Sequence, residues 1–140
     1  MIVDGKNLIA GRLASRVAKA AVKGEQVIVI NAEDTVIVGN KESTLKKFYT
    51  KTHEARVLSN PHYGPKYDRI PSKILRRMVK GMLPKRSRTK EKLIKLVTIY
   101  NSTPKLMPKG EIITFKEIEF DGNKNHITLK ELGTLLGGKW

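Results

Sequence analysis

Residues 27 to 30 read Val27-Ile28-Val29-Ile30, four β-branched residues in succession with no polar residue between them. A strand half exposed to water alternates apolar and polar side chains, so an unbroken run suits a parallel strand covered on both faces. The residues before it complete the pattern. Ile2-Val3 reads as a short strand. Ala10, Leu13, Val17 and Ala20 or Ala21 recur at helical spacing until Gly24 stops the helix. Strand, helix and buried strand in that order make a right-handed βαβ unit of an α/β fold.

Downstream, Val36-Ile37-Val38 forms another strand or extends the second, and Gly39-Asn40 marks a break. Asn40 is placed to cap a helix running through Leu45, Phe48 and Tyr49. From Thr52 to Pro71 the pattern dissolves into Asn60-Pro61, Gly64-Pro65 and Pro71, where proline denies the backbone regular pairing. A loop of this length is often functional. A helix follows over Ser72 to Met82, then the run Lys85-Arg86-Ser87-Arg88-Thr89-Lys90, a helix around Leu93 to Leu96, and a strand at Val97 to Tyr100. The last third holds a small self-similarity: Ile113-Thr114-Phe115-Lys116-Glu117-Ile118 beside Ile127-Thr128-Leu129-Lys130-Glu131-Leu132. Each copy has Thr-x-x-Glu spacing, which reads as two short helix starts, and Gly137-Gly138 ends the second helix.

The 140 residues fit one domain, 1–140, with a βαβ start (1–54), a basic segment (55–90) and a remainder with tail (91–140). There is no cysteine, so disulfides and thiolate metal sites are excluded, and a reducing compartment is indicated. His53, His62 and His126 share no metal-ligand spacing. Apolar runs are far shorter than the roughly 18 residues a membrane span needs. Asp4, Lys6 and Asn7 interrupt any signal-peptide stretch, so a soluble intracellular protein is expected. The formal net charge is +15, which calls for a polyanionic partner. Its distribution is uneven: residues 1–54 carry net +3, residues 55–90 net +10, and residues 91–140 net +2.

Within the basic segment the helix from Ser72 is the most informative element. At about 100° per residue, Arg76, Arg77 and Lys80 fall within about 60° of Lys73, while Ile74, Leu75, Met78, Val79 and Met82 lie opposite. One face is expected to be core and the other wholly cationic. Exposed helices ordinarily interleave Glu with Lys, whereas these cations repel one another unless phosphates intervene. The arginines at 76, 77, 86 and 88 favour forked contacts to phosphate oxygens. In the loop, Tyr63 and Tyr67 lie among Arg56, His62, Lys66 and Arg69; they either stack on unpaired bases or close a small satellite core. Lys85 and Lys90 extend the set, and Arg12, at the first helix, is a secondary candidate.

An enzyme would have to use the strand-to-helix turn Asp4-Gly5-Lys6-Asn7-Leu8-Ile9-Ala10-Gly11-Arg12. That turn has neither Gly-x-Gly-x-x-Gly nor the Gly-Lys-Ser/Thr ending of a P-loop, and no acid/base pair or nucleophile constellation is evident. No catalysis, cofactor or small-molecule substrate is expected.

The stretch Val79-Lys80-Gly81-Met82-Leu83-Pro84, preceded by Ile74-Leu75-Arg76-Arg77 and Asn60-Pro61-His62, closely resembles the universal large-subunit ribosomal protein thirteen family. Leu8-Ile9-Ala10-Gly11-Arg12-Leu13-Ala14-Ser15, Val29-Ile30-Asn31-Ala32-Glu33 and Val38-Gly39-Asn40 resemble its other recurrent segments, in the same order. The resemblance covers roughly residues 1 to 104 and weakens beyond about 105. The family usually carries glycine near Thr89 and Ser102, where this chain departs from it. The short chain, with Asn60-Pro61-His62 and Gly64-Pro65, looks more archaeal than bacterial.

The resemblance implies a three-layer α/β/α fold around a mainly parallel four-stranded sheet, with basic loops and a short helical tail. It further implies binding to large-subunit ribosomal RNA, neighbouring ribosomal proteins as partners, a role in subunit assembly, and a place in the cytoplasmic ribosome. On this reading the 72–82 helix and its flanking loops form a cationic wedge that clamps RNA helices by shape and phosphate position. Replacing Arg76 and Arg77 with Ala should then weaken RNA binding and leave folding intact. A DNA-binding or nucleic-acid chaperone module is the alternative the same charge would serve. An anionic-membrane binder would need a free apolar helix face, and here that face is assigned to the core.

Overall fold

A computed structural model of the protein describes residues 1–106 and 110–140, with Ser87 and Arg88 described in their backbone only. The βαβ unit is present as expected. Strand β1 (Ile2–Asp4) leads into helix α1 (Ala10–Val22), which buries Ala10, Leu13, Ala14, Val17, Ala18, Ala20 and Ala21. The chain turns at Gly24, whose φ is +89°, into β2 (Val27–Ile30), which pairs in parallel with β1. After a 3-10 turn at Ala32–Asp34 comes β3 (Val36–Val38), a separate strand and not an extension of β2. Asn40 caps α2 (Lys41–Tyr49) through its Oδ1, which accepts from the Glu42 amide at 3.0 Å. A π-helical turn then occupies Thr50–Glu54, overlapping the start of the expected loop at Thr52.

Helix α3 (Pro71–Met82) starts on its proline, whose missing N–H costs nothing at that position. Helix α4 (Ser87–Lys95) begins earlier than expected, inside the basic run, and β4 (Val97–Ile99) follows it. The last third departs most from expectation. It holds two short strands, β5 (Ile112–Ile113) and β6 (His126–Thr128), before α5 (Leu129–Leu135). Of the two Thr-x-x-Glu sites, only Thr128 caps a helix, its Oγ1 accepting from the Glu131 amide at 3.2 Å. Around Thr114 the chain makes just a 3-10 turn, Lys116–Ile118, with no side-chain cap. The Glu117 carboxylate is turned instead to Arg16, 2.7 Å away. Helix α5 ends at the glycine pair, where the Gly138 amide donates to the Gly133 carbonyl and the Gly137 amide to that of Thr134.

The main sheet has the order β4-β2-β1-β5, all neighbours parallel, and β3 pairs antiparallel with β6 in a second, two-stranded sheet. This is the α/β class expected, consistent with its three-layer form. Val3, Val27, Val29 and Val97 point from the main sheet into the core, where they meet Leu13, Val17, Leu75 and Val79 from α1 and α3. Ile127, Leu129, Leu132 and Leu136 bring the C-terminal segment into the same cluster. No helix among the described residues is long and apolar enough to cross a membrane.

Candidate nucleic-acid interface

Helix α3 is fixed from its apolar side. Pro71, Ile74, Leu75 and Val79 are buried and Met78 packs against the core. Met82 corrects the expected core face, because it is 47% exposed and the buried position passes to Leu83, at the end of the helix. The N-terminus of α3 is also tied down: Asn101, just beyond β4, accepts from the Ser72 amide through Oδ1 at 2.9 Å.

With that side anchored, the cations are placed on the other, and the structure divides them. Lys73, Arg77 and Lys80 are exposed, but Arg76 is half-buried. The Arg76 guanidinium donates to the carbonyls of Val97 at 2.8 Å and Ile94 at 3.1 Å. The face is cationic as expected, but one of its cations is already engaged by the main chain. Arg77 donates to the Lys66 carbonyl at 2.7 Å, and its Cζ lies 3.7 Å from the centroid of the Tyr67 ring, within stacking range. Lys73 faces Asp68 at 3.9 Å, an exposed pair of small energetic weight.

Between α3 and α4 runs an open groove of about 740 Å³. Lys73, Arg76, Arg77, Lys80 and Lys90 line it with Gly81 and Ile94, and Asp68 is its one acid. Five cations around one carboxylate give a cleft of strongly positive potential, and low-dielectric walls concentrate that field. Lys90 reaches the groove because α4 is already helical there. Lys85 and Arg86 are exposed at the entry to α4. The side chain of Arg88 lies outside the described residues.

The loop between α2 and α3 is folded on itself. Its two limbs meet at Gly64, where an added Cβ would stand 3.2 Å from the Val57 nitrogen. At its tip the Tyr63 amide donates to the Asn60 carbonyl, and the His62 amide to Asn60 Oδ1. Arg56, His62 and Lys66 are exposed on it. The two tyrosines differ in exposure: Tyr63 is 83% exposed, whereas Tyr67 is half-buried and lines a small cavity with Phe48, Ile74 and Met78. Lys51, which composition did not single out, sits 5.8 Å from the Tyr67 ring centroid. Arg69 is drawn away from the groove: its guanidinium lies beside Gly137, and its carbonyl is 2.7 Å from where a side chain at Gly133 would begin. Arg12 is separate too, in a second groove with Glu119 and Asp121.

The turn after β1, where α/β enzymes hold nucleotides, is closed by the protein itself. Asp4 Oδ1 accepts from the Lys6 amide and from Asn31 Nδ2, and the Thr103 hydroxyl donates to Asn31 Oδ1. A Cβ on Gly5 would lie 2.9 Å from the Thr35 hydroxyl and 3.0 Å from the Ile30 carbonyl, so this glycine serves close packing.

The family model described as Ribosomal protein L13 matches residues 1–106 of the chain. Relatives extend over nearly the whole length. The chain is 36% identical over 139 residues to the large ribosomal subunit protein uL13 of Methanocaldococcus jannaschii, covering 99% of this chain and 98% of that protein. It is 37% identical over 142 residues to the uL13 of Methanosphaera stadtmanae, covering 99% and 98%.

The chain belongs to the ribosomal protein L13 family.

Its relatives also include the uL13 of Thermoplasma volcanium, 32% identical over 137 residues with 98% of each chain covered. These three relatives are archaeal proteins, in line with the archaeal character that the short chain suggested. Membership in L13 makes this a ribosomal protein and not an enzyme. The L13 match ends at residue 106, close to where the sequence resemblance weakens.

Proposed function

We propose that this chain is a structural constituent of the large ribosomal subunit in the cytoplasm, where it clamps large-subunit ribosomal RNA through the α3–α4 groove. The names of its relatives support the subunit. The observation that carries RNA contact is the groove itself, five cations around a single acid on a helix whose opposite side is anchored in the core. The folded loop carrying Arg56, His62, Tyr63 and Lys66, and the Lys85-Arg86 entry to α4, flank it and extend the contact along the RNA backbone. Arg12 and Arg69 stand outside this surface. Because side chains cannot read the deep major groove of A-form RNA, recognition rests on phosphate position and shape. A clamp of this kind holds RNA helices in their assembled arrangement and so supports subunit assembly beside neighbouring ribosomal proteins.

Filter binding to a large-subunit RNA transcript, with duplex DNA as competitor at physiological salt, tests this reading. RNA should be bound in preference. Equal competition by DNA would instead identify a general nucleic-acid binder.

A further inference from the structure

Arg76 differs in kind from the other cations of the groove. Its two bonds commit both terminal nitrogens to main-chain oxygens, one in the last turn of α4 and one at the first residue of β4. The cation thus sits near the negative end of the α4 dipole, where it is stabilised, with two of its five N–H donors already engaged by the main chain. Helix α4 needs such a tie. None of its described side chains is fully buried, and only Leu93 and Ile94 pack against the core. Yet α4 carries Lys90, which shares the groove with Lys73 and Lys80 of α3.

We propose that Arg76 is a positioning residue, a latch that holds α4 against α3 and β4 so that Lys90 stands on the facing wall of the groove, and that it does not itself contact phosphate. The role in binding rests on the RNA reading above, but the latch can be observed without RNA.

Amide hydrogen exchange on the free protein reads the latch directly. Arg76→Ala should speed exchange of the α4 amides by about tenfold or more, the effect of losing hydrogen bonds to a charged donor. Arg77→Ala and Lys80→Ala should leave α4 protection as it is. Arg76→Gln covers the case in which the alanine variant fails to fold. It lacks the charge but keeps an amide donor for one carbonyl, and it should recover part of the α4 protection and part of the RNA affinity.

The binding arm is a double-mutant cycle on a large-subunit RNA transcript. Combining Arg76→Ala with Lys90→Ala should cost clearly less than the two separate losses together, because a latch acts through the helix it holds. Unchanged α4 exchange in both Arg76 variants, additive losses in the cycle, or a glutamine variant no better than alanine would each overturn the proposal. A failure of the RNA reading looks different: wild type and Lys90→Ala would bind RNA equally, and no better than duplex DNA. That result removes the groove as the RNA site, and with it the role of Arg76 in binding, whatever the exchange shows.

Discussion

Lys80 is exposed on α3 and makes no ion pair among the described residues, so its contribution should be purely electrostatic. Lys80→Ala is expected to reduce the log–log salt slope of RNA binding by about 0.7–0.9, one phosphate contact, with stability unchanged within about 0.5 kcal/mol. Titrations across a potassium chloride series, alongside a thermal melt, check both halves. Arg76→Ala should do the reverse and cost about 1.5–3 kcal/mol of stability, because two main-chain carbonyls lose a charged donor. The two residues look alike in the sequence. Helical spacing sorts residues by class and angle, and it placed Arg76 with the cations. It does not register that a long arginine can turn back to the carbonyls of α4 and β4, which arrive later in the chain. Met82 was misassigned for a related reason: the apolar stripe was extended one turn too far, past the point where Leu83 takes over the buried position.

At the scale of elements, what is local was legible and what is distant was not. The caps at Asn40 and Thr128 act within three residues and were readable from spacing. The cap on α3 comes from Asn101, 29 residues on, and only the folded sheet brings it there. Asn101→Ala should therefore destabilise the protein by about 1 kcal/mol through α3. A urea melt with unchanged m-value is the check, and a midpoint equal to wild type would remove Asn101 from the support of α3. β5 and β6 adjoin Thr-x-x-Glu spacings that read as helix starts, whereas the comparably short β1 and β3 stand in uninterrupted apolar runs. The four-residue run of β2 was long enough, and from it the α/β class followed.

Across the whole molecule the family match and the physical core do not end together. The L13 model stops at residue 106, yet β5 pairs with β1, β6 pairs with β3, and Leu129, Leu132 and Leu136 are fully or almost fully buried. A chain cut after Leu106 should show no cooperative urea transition, and Leu132→Ala alone should cost about 2–5 kcal/mol. A truncated chain that melted cooperatively would make the last third an accessory. Sheet closure by these late strands also bears on how the protein is made. Ribosomes extend chains at about 5–20 residues per second, so the cationic stretch ending at Lys90 is synthesised roughly 3–10 s before Trp140. During that interval β1 has no β5 beside it, β3 has no β6, and the support of α3 is incomplete. The cationic stretch is thus made before the strands that complete its scaffold.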